Sequence, residues 1–168
     1  KDIEIDNSND WQRKHWKSIY LNYKNAKYFK KYQSVFEEYY LGKSFSHISE
    51  FNISIIKLIS QLCKFKTKLV KSSELNIEKS GSDKIIEIIK RLNGSVYISG
   101  KGRGSMKYIS NNIFDNNNIA LKTFEYRNQQ YAQLFSNYLP DCSILDLFFN
   151  CGENTHQYLL NNSTLVKF

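Results

Sequence analysis

The chain has 168 residues, of which 41% are hydrophobic and 15% aromatic, enough for one domain with a real core and too few for two comfortable ones. That composition excludes a disordered chain, the single proline argues against a Pro-rich linker, and no apolar run approaches bilayer length, so neither a membrane span nor a signal peptide is expected. The formal charge is +8, but 20 of the 24 basic residues are lysine and only Arg13, Arg91, Arg103 and Arg127 are arginine; base readout favours arginine, so no nucleic-acid partner is expected, only a modest affinity for anionic substrates.

Lys1 to Ile5 alternates like the tail of a strand. The chain opens in mid-pattern without methionine, which suggests a missing upstream segment. Asn9 with Gln12 three residues on has the form of a capping box. Trp16, Ile19, Tyr20 and Tyr23 then follow at helical spacing. A second helix is expected over about 28–41, closed by Gly42. A third starts near Ser49, with Phe51, Ile55, Ile59 and Leu62 on one face. Thr67 to Val70 reads as a short strand ending at "KSSEL". Ser82 is the expected cap of a helix with Ile85, Ile86, Ile89 and Leu92 on its apolar face, closed by Asn93-Gly94. Ser95 to Ser99 is a strand running into "GKGRG", Ile119 to Phe124 is another, Ser143 to Phe149 is an apolar helix, and a short helix is expected after His156.

Helices alternating with strands indicate an α/β single domain with a mainly parallel sheet flanked by helices and Rossmann-like βαβ units. Ligands of such sheets sit at the carboxyl ends of strands, which singles out two loops. In "KSSEL", Lys71, the hydroxyls of Ser72 and Ser73, and Glu74 suit sugar or phosphate oxygens, an amine or a ribose hydroxyl; the plain alternative is a solvated strand end. In "GKGRG", Gly100, Gly102 and Gly104 miss the dinucleotide fingerprint, whose third glycine would fall at Ser105, and the P-loop pattern fails as well. What remains is a flexible loop whose glycines admit close approach of an anion and whose Arg103 supplies a planar donor fork beside Lys101; the alternative is a turn.

His15 lies on the aromatic side of the first helix, as a candidate general base or a core-edge residue. The face formed by Trp11, Trp16, Tyr20, Tyr23 and Tyr28 is read as core in preference to a stacking platform. His47 and His156 lack partners at metal-ligand spacing, so no metal site is expected, and no GxSxG elbow signals Ser/His/Asp catalysis. Cys63, Cys142 and Cys151 form no CxxC pair and read as free, buried thiols in a reducing cytoplasm.

Four stretches, taken in order, resemble the WbqC-like proteins: "IEIDNSNDWQRKHWKSIYLNYKNAKYF", "KTKLVKSSELNI", "VYISGKGRGSMKYI" and "CSILDLFFNCG". The family's usual Met-Gln-Pro-aromatic opening strand and turn is absent here. The resemblance implies a cytoplasmic enzyme of bacterial surface polysaccharide (O-antigen) biosynthesis, with glycine or acyl transfer to a nucleotide-linked amino sugar as the suggested chemistry. It covers His15, Ser72, Ser73, Glu74, Gly100, Gly102 and Tyr108, and in the last motif Ser143, Asp146, Asn150 and Gly152. His15 and Glu74 are the candidate catalytic residues. Lys71, Ser72, Ser73, Gly100, Gly102, Arg103, Tyr108, Asp146 and Asn150 are the candidate substrate-binding residues. The family's aromatic-Pro turn is analogous to the nucleotide-binding corner of enzymes that activate a carboxylate, which makes ATP the candidate cofactor. The alternatives are a non-catalytic sugar- or nucleotide-binding partner of a glycosyltransferase and, as a third reading, a basic nucleic-acid-binding domain.

Overall fold

A computed structural model describes residues 3–167. In chain order its elements are α1 (Trp11–Tyr23), α2 (Phe29–Leu41), α3 (Ile48–Leu62), α4 (Gly81–Arg91), β1 (Val96–Ser99), α5 (Arg103–Met106), α6 (Asn111–Asp115), β2 (Ala120–Tyr126), α7 (Ile144–Cys151), α8 (Thr155–Asn161) and β3 (Ser163–Lys167). They fall into two compact units. The first comprises residues 1–67 and 128–161, the second residues 68–127 and 162–168.

The first unit is helical. Its core is built almost wholly from aromatic rings: Trp16, Phe29, Tyr32, Phe36, Tyr39, Tyr40, Phe45, Phe148 and Phe149 are all buried. Trp16 stacks near-parallel on Phe29 and Tyr40, while Phe149 meets Tyr23, Phe29 and Phe36 at tilted or edge geometries. Such offset contacts add about 0.5–1.5 kcal/mol each beyond area burial. Of the expected aromatic face, Trp11, Trp16, Tyr23 and Tyr28 are therefore core while Tyr20 is 39% exposed, and α3 lays Phe51, Ile55, Ile59 and Leu62 against the same cluster.

The helix starts differ from the expected ones. Asp10, not Asn9, is the N-cap of α1. The Gln12 amide instead donates to the carbonyls of Tyr40 and Lys43 at 2.8 and 2.7 Å, tying α1 to the end of α2. The capping box belongs to α3, where His47 and Glu50 satisfy each other's backbone. Of the expected opening strand, Glu4 makes one antiparallel bridge to His47; Lys1 and Asp2 lie outside the described residues.

The second unit holds a three-stranded sheet of order β1-β2-β3. β1 runs parallel to β2, with Val96 opposite Ala120 and Ser99 opposite Thr123. β3 runs antiparallel to β2, with Phe124 opposite Leu165. Ile86 and Ile89 of α4, with Phe114, Ile119 and Leu121, form this unit's core.

The α/β class holds, but the sheet is small and mixed, not a mainly parallel sheet of Rossmann-like units. Two readings fail for physical reasons. Thr67 to Val70 is exposed and has no regular structure, because β-propensity yields a strand only where a partner edge receives it. β3 has no sequence signal of its own: "STLVK" carries only two apolar residues and becomes a strand by pairing with β2. Two local details also shift: Ser80 caps α4 in place of Ser82, and Leu92 is 47% exposed, outside the apolar face.

Candidate functional site

The strongest constellation lies in the first unit, around α7. Ser143 caps α7 and its Oγ accepts from the Leu145 N–H. One turn in, Asp146 is 5% exposed. Its Oδ2 accepts from the Tyr131 hydroxyl at 2.5 Å and from the Gln133 amide at 3.0 Å. Tyr23 of α1 also interacts with this carboxylate. A buried carboxylate survives only with such donors around it.

The donors come from the segment between β2 and α7, which contains neither helix nor strand over residues 127–143. Unstructured loops of that length in compact units are commonly functional. Gln133 laces this one together. Its Oε1 accepts from the Leu139 N–H at 2.7 Å, and its Nε2 donates to the Leu139 carbonyl at 2.9 Å as well as to Asp146. Tyr138 and Tyr158 both donate to the Gln129 carbonyl.

Gln133 and Asp146 border a cavity of about 510 Å³, within the range of small-molecule sites. Ile19, Leu134, Phe135 and Leu139 give it apolar walls; Ser18, Asn22, Tyr23, Gln133 and Cys142 add polar groups, and Asp146 is the one charged residue lining it. Burial first, then the charge and hydrogen bonding of Asp146, holds the Tyr23 and Tyr131 phenols well above the ordinary tyrosine range. Burial, then the Asp146 charge, also pushes the Cys142 and Cys151 thiols up. Cys142 is thus a neutral thiol at neutral pH, not an activated thiolate. All three cysteines are free; Cys63 is buried and the other two are half-buried.

The rest of the last motif supports this site. The Asn150 amide donates to the Asp146 carbonyl at 2.9 Å, within the helix. Gly152 ends α7 at φ 62°, ψ −129°. A Cβ there would lie 2.7 Å from the Tyr28 ring, so only glycine fits. His15 is exposed on α1, its ring edge-on to Trp11 at 5.3 Å and to Tyr40 at 6.3 Å.

The other expected site residues belong to the second unit. Ser72, Ser73 and Glu74 lie in a short 3-10 turn, where Glu74 pairs with Lys71 at 3.4 Å. This turn follows an irregular segment, not a strand end. Gly100 does follow β1. Lys101 forms an ion pair with Glu125 of β2, and Arg103 begins α5 and is exposed. A Cβ at Gly102 or Gly104 would meet nothing within 4 Å. Tyr108 packs over Gly81, and its carbonyl accepts from Ser82 Oγ at 2.7 Å, binding the end of this stretch to α4. Among the described residues no hydrogen bond or ion pair joins Lys71–Glu74 to the glycine loop. Nor does any group of three or more His, Cys, Asp or Glu there fit a metal, and no helix is long and apolar enough to cross a membrane.

Tyr131 and Gln133 were not legible as site residues. The only available sign was the length of the aperiodic stretch that carries them. Tyr23 was visible, but as part of the aromatic face.

A family model described as the WbqC-like protein family matches residues 1–158. The chain is also 26% identical over 151 residues to "Uncharacterized protein Rv1507c" of Mycobacterium tuberculosis (strain ATCC 25618 / H37Rv). That alignment covers 89% of this chain and 64% of the relative, so the chain spans under two thirds of that protein's length. No solved structure matches.

Proposed function

The chain belongs to the WbqC-like protein family, and from that premise we propose an enzyme of bacterial surface polysaccharide (O-antigen) biosynthesis that binds an amino sugar in the Asp146 cavity. The observation that carries this reading is the single buried carboxylate on otherwise uncharged walls. Such a wall selects a ligand that brings a positive charge or several donors. An amino sugar offers an ammonium and a ring of hydroxyls, and its apolar faces suit Leu134 and Phe135.

The suggested chemistry is aminoacyl transfer, with glycine as the simplest donor. The sugar nitrogen must lose a proton before it attacks the carbonyl carbon of an activated acyl group. The C–N bond then forms as the activating group departs with its electron pair. Asp146 is positioned to hold the amine and to take that proton. ATP is the candidate source of activation, and the candidate catalytic groups are His15 in the first unit and, separately, Glu74 in the second. The second unit carries a separate candidate, the glycine loop. The fold itself makes no steric demand for glycine at 102 or 104, whereas close approach of a diphosphate to the backbone does. Lys71, Ser72, Ser73, Gly100, Gly102, Arg103 and Tyr108 are the candidates for anion and sugar contacts in that unit.

The second reading is a non-catalytic sugar- or nucleotide-binding partner of a glycosyltransferase. Mass spectrometry separates the two. The full-length protein is incubated with nucleotide-amino sugars, glycine and ATP. The enzyme reading expects a glycyl mass increment on one sugar; binding without any increment would favour the partner reading. Arg103→Ala tests the loop separately. Loss of a charged donor costs about 1.5–3 kcal/mol, roughly ten- to a hundredfold in nucleotide-sugar affinity, while the melting temperature stays within a few degrees because the residue is exposed. Unchanged binding in calorimetry would make the loop a turn.

A further inference from the structure

A second cleft, of about 720 Å³, opens elsewhere in the first unit where α3 ends. Lys31, Lys64 and Lys66 line it, with Glu153 the one acidic residue and Tyr32, Phe65, Phe148 and His156 the rings. We infer that this cleft is a nucleotide site, independent of the amino-sugar cavity, with phosphates on the lysines and the base against Phe65.

Three observations carry this. The first is charge: three lysines face one carboxylate, so the lining is positive with His156 neutral. Lys31 forms an ion pair with Glu153, and both remain solvent-accessible, at 47% and 81%. The charge of Lys64 reaches Glu153 as well. Glu153 therefore occupies the place of an anion between two cations, and an incoming phosphate would compete with it.

The second is the backbone at Lys64. α3 ends in a Schellman turn: the Lys64 N–H donates to the Gln61 carbonyl and the Phe65 N–H to the Ser60 carbonyl, each at 2.9 Å. That turn places Lys64 at φ 56°, a left-handed position that glycine fills at the least cost. The helix dipole favours a cation nearby, but Lys66 in relaxed backbone would serve that purpose equally. A lysine held there against the local preference points to a use for its side chain.

The third is the aromatic wall. Phe65, 38% exposed, lies between Lys64 and Lys66 in sequence. Its ring is 5.3 Å from that of His156. His156 Nδ1 faces the Cys63 carbonyl. Only an N–H can serve a carbonyl, so the neutral ring carries its proton on Nδ1 and keeps Nε2 as an acceptor. A flat ring flanked by ammonium groups, in a cleft of this volume, matches a base with its phosphates.

Calorimetry on the full chain at low salt uses ADP, inorganic diphosphate and adenosine as probes. ADP should bind, with diphosphate and adenosine each weaker. Lys64→Gly keeps the turn without the side chain; it should weaken ADP roughly tenfold or more while the melting temperature holds or rises. Lys66→Ala should weaken ADP likewise. Glu153→Gln removes the competing carboxylate and should tighten ADP severalfold. Arg103→Ala should leave this site unchanged. Absence of ADP binding, equal affinity in Lys64→Gly and parent, or a loss confined to Arg103→Ala would each overturn the inference. So would tighter binding of an oligothymidylate than of ADP, which would make the cleft part of a single-strand surface. None of these results depends on whether the amino-sugar reading survives.

Discussion

Asp146→Ala is the perturbation that tests the candidate site most directly. The wild-type carboxylate receives hydrogen bonds from Tyr131 and Gln133, and Tyr23 interacts with it as well. Bonds to a charged acceptor are worth about 1.5–3 kcal/mol each, and their loss leaves donors unpaired. Tyr131 and Gln133 are half-buried rather than buried, so water replaces part of what is lost and the lower half of the range summed over their two bonds applies, about 3–4.5 kcal/mol. For a chain of this size that corresponds to a melting point lower by about 6–18 °C. Asp146→Asn preserves the volume and one acceptor and should cost about half as much in the same scan. Binding supplies the second readout. If the carboxylate holds an ammonium, parent protein should prefer glucosamine to N-acetylglucosamine, and Asp146→Asn should erase the preference. A melting point lowered by less than about 2 °C in the alanine variant would refute the claim that Asp146 organises the loop. An undiminished amine preference in Asp146→Asn would refute its role as the ligand carboxylate.

Alkaline titration followed at 295 nm should show Tyr23 and Tyr131 ionising after tyrosines at the ordinary value of about 10, because burial and then Asp146 hold both phenols up. Folding favours their protonated forms, so that contribution to stability is complete below pH of about 10 and is lost as pH rises through the folded-state values; ionisation of both at the ordinary value would contradict the burial of this cluster. Gly152→Ala should be the most damaging single-methyl change: a backbone conformation reserved for glycine costs about 1–3 kcal/mol and the overlap with the Tyr28 ring about as much again. Calorimetric melting within about 2 °C of the parent would show that Tyr28 moves aside freely.

The positions of α1 to α4, β1, β2 and α7 were legible because each is written by local physics: apolar residues at a spacing of three or four, a serine or glycine at the ends, or a short β-branched run. The free state of the three cysteines was legible for the same local reason. The four family stretches identified the chain, and Asp146 and Asn150 were named from the last of them. What local sequence could not supply was pairing. Whether Thr67–Val70 becomes a strand, or "STLVK" does, depends on which edge of β2 is open, and that edge is built by residues far away in the chain. The candidate cavity has the same origin. Tyr23, Gln133, Tyr131 and Asp146 come from three separated segments, and no period or spacing relates them. Their meeting follows from burying an aromatic core, which draws α1 and α7 together through Tyr23 and Phe149. With that packing Asp146, one turn before Phe149 on α7, finds its donors Tyr131 and Gln133 in the loop that leads into α7. Likewise "CKFKT" shows three ordinary polar and aromatic neighbours in sequence. Only the left-handed turn after α3 sets Lys64, Phe65 and Lys66 around a cleft with Lys31 and His156.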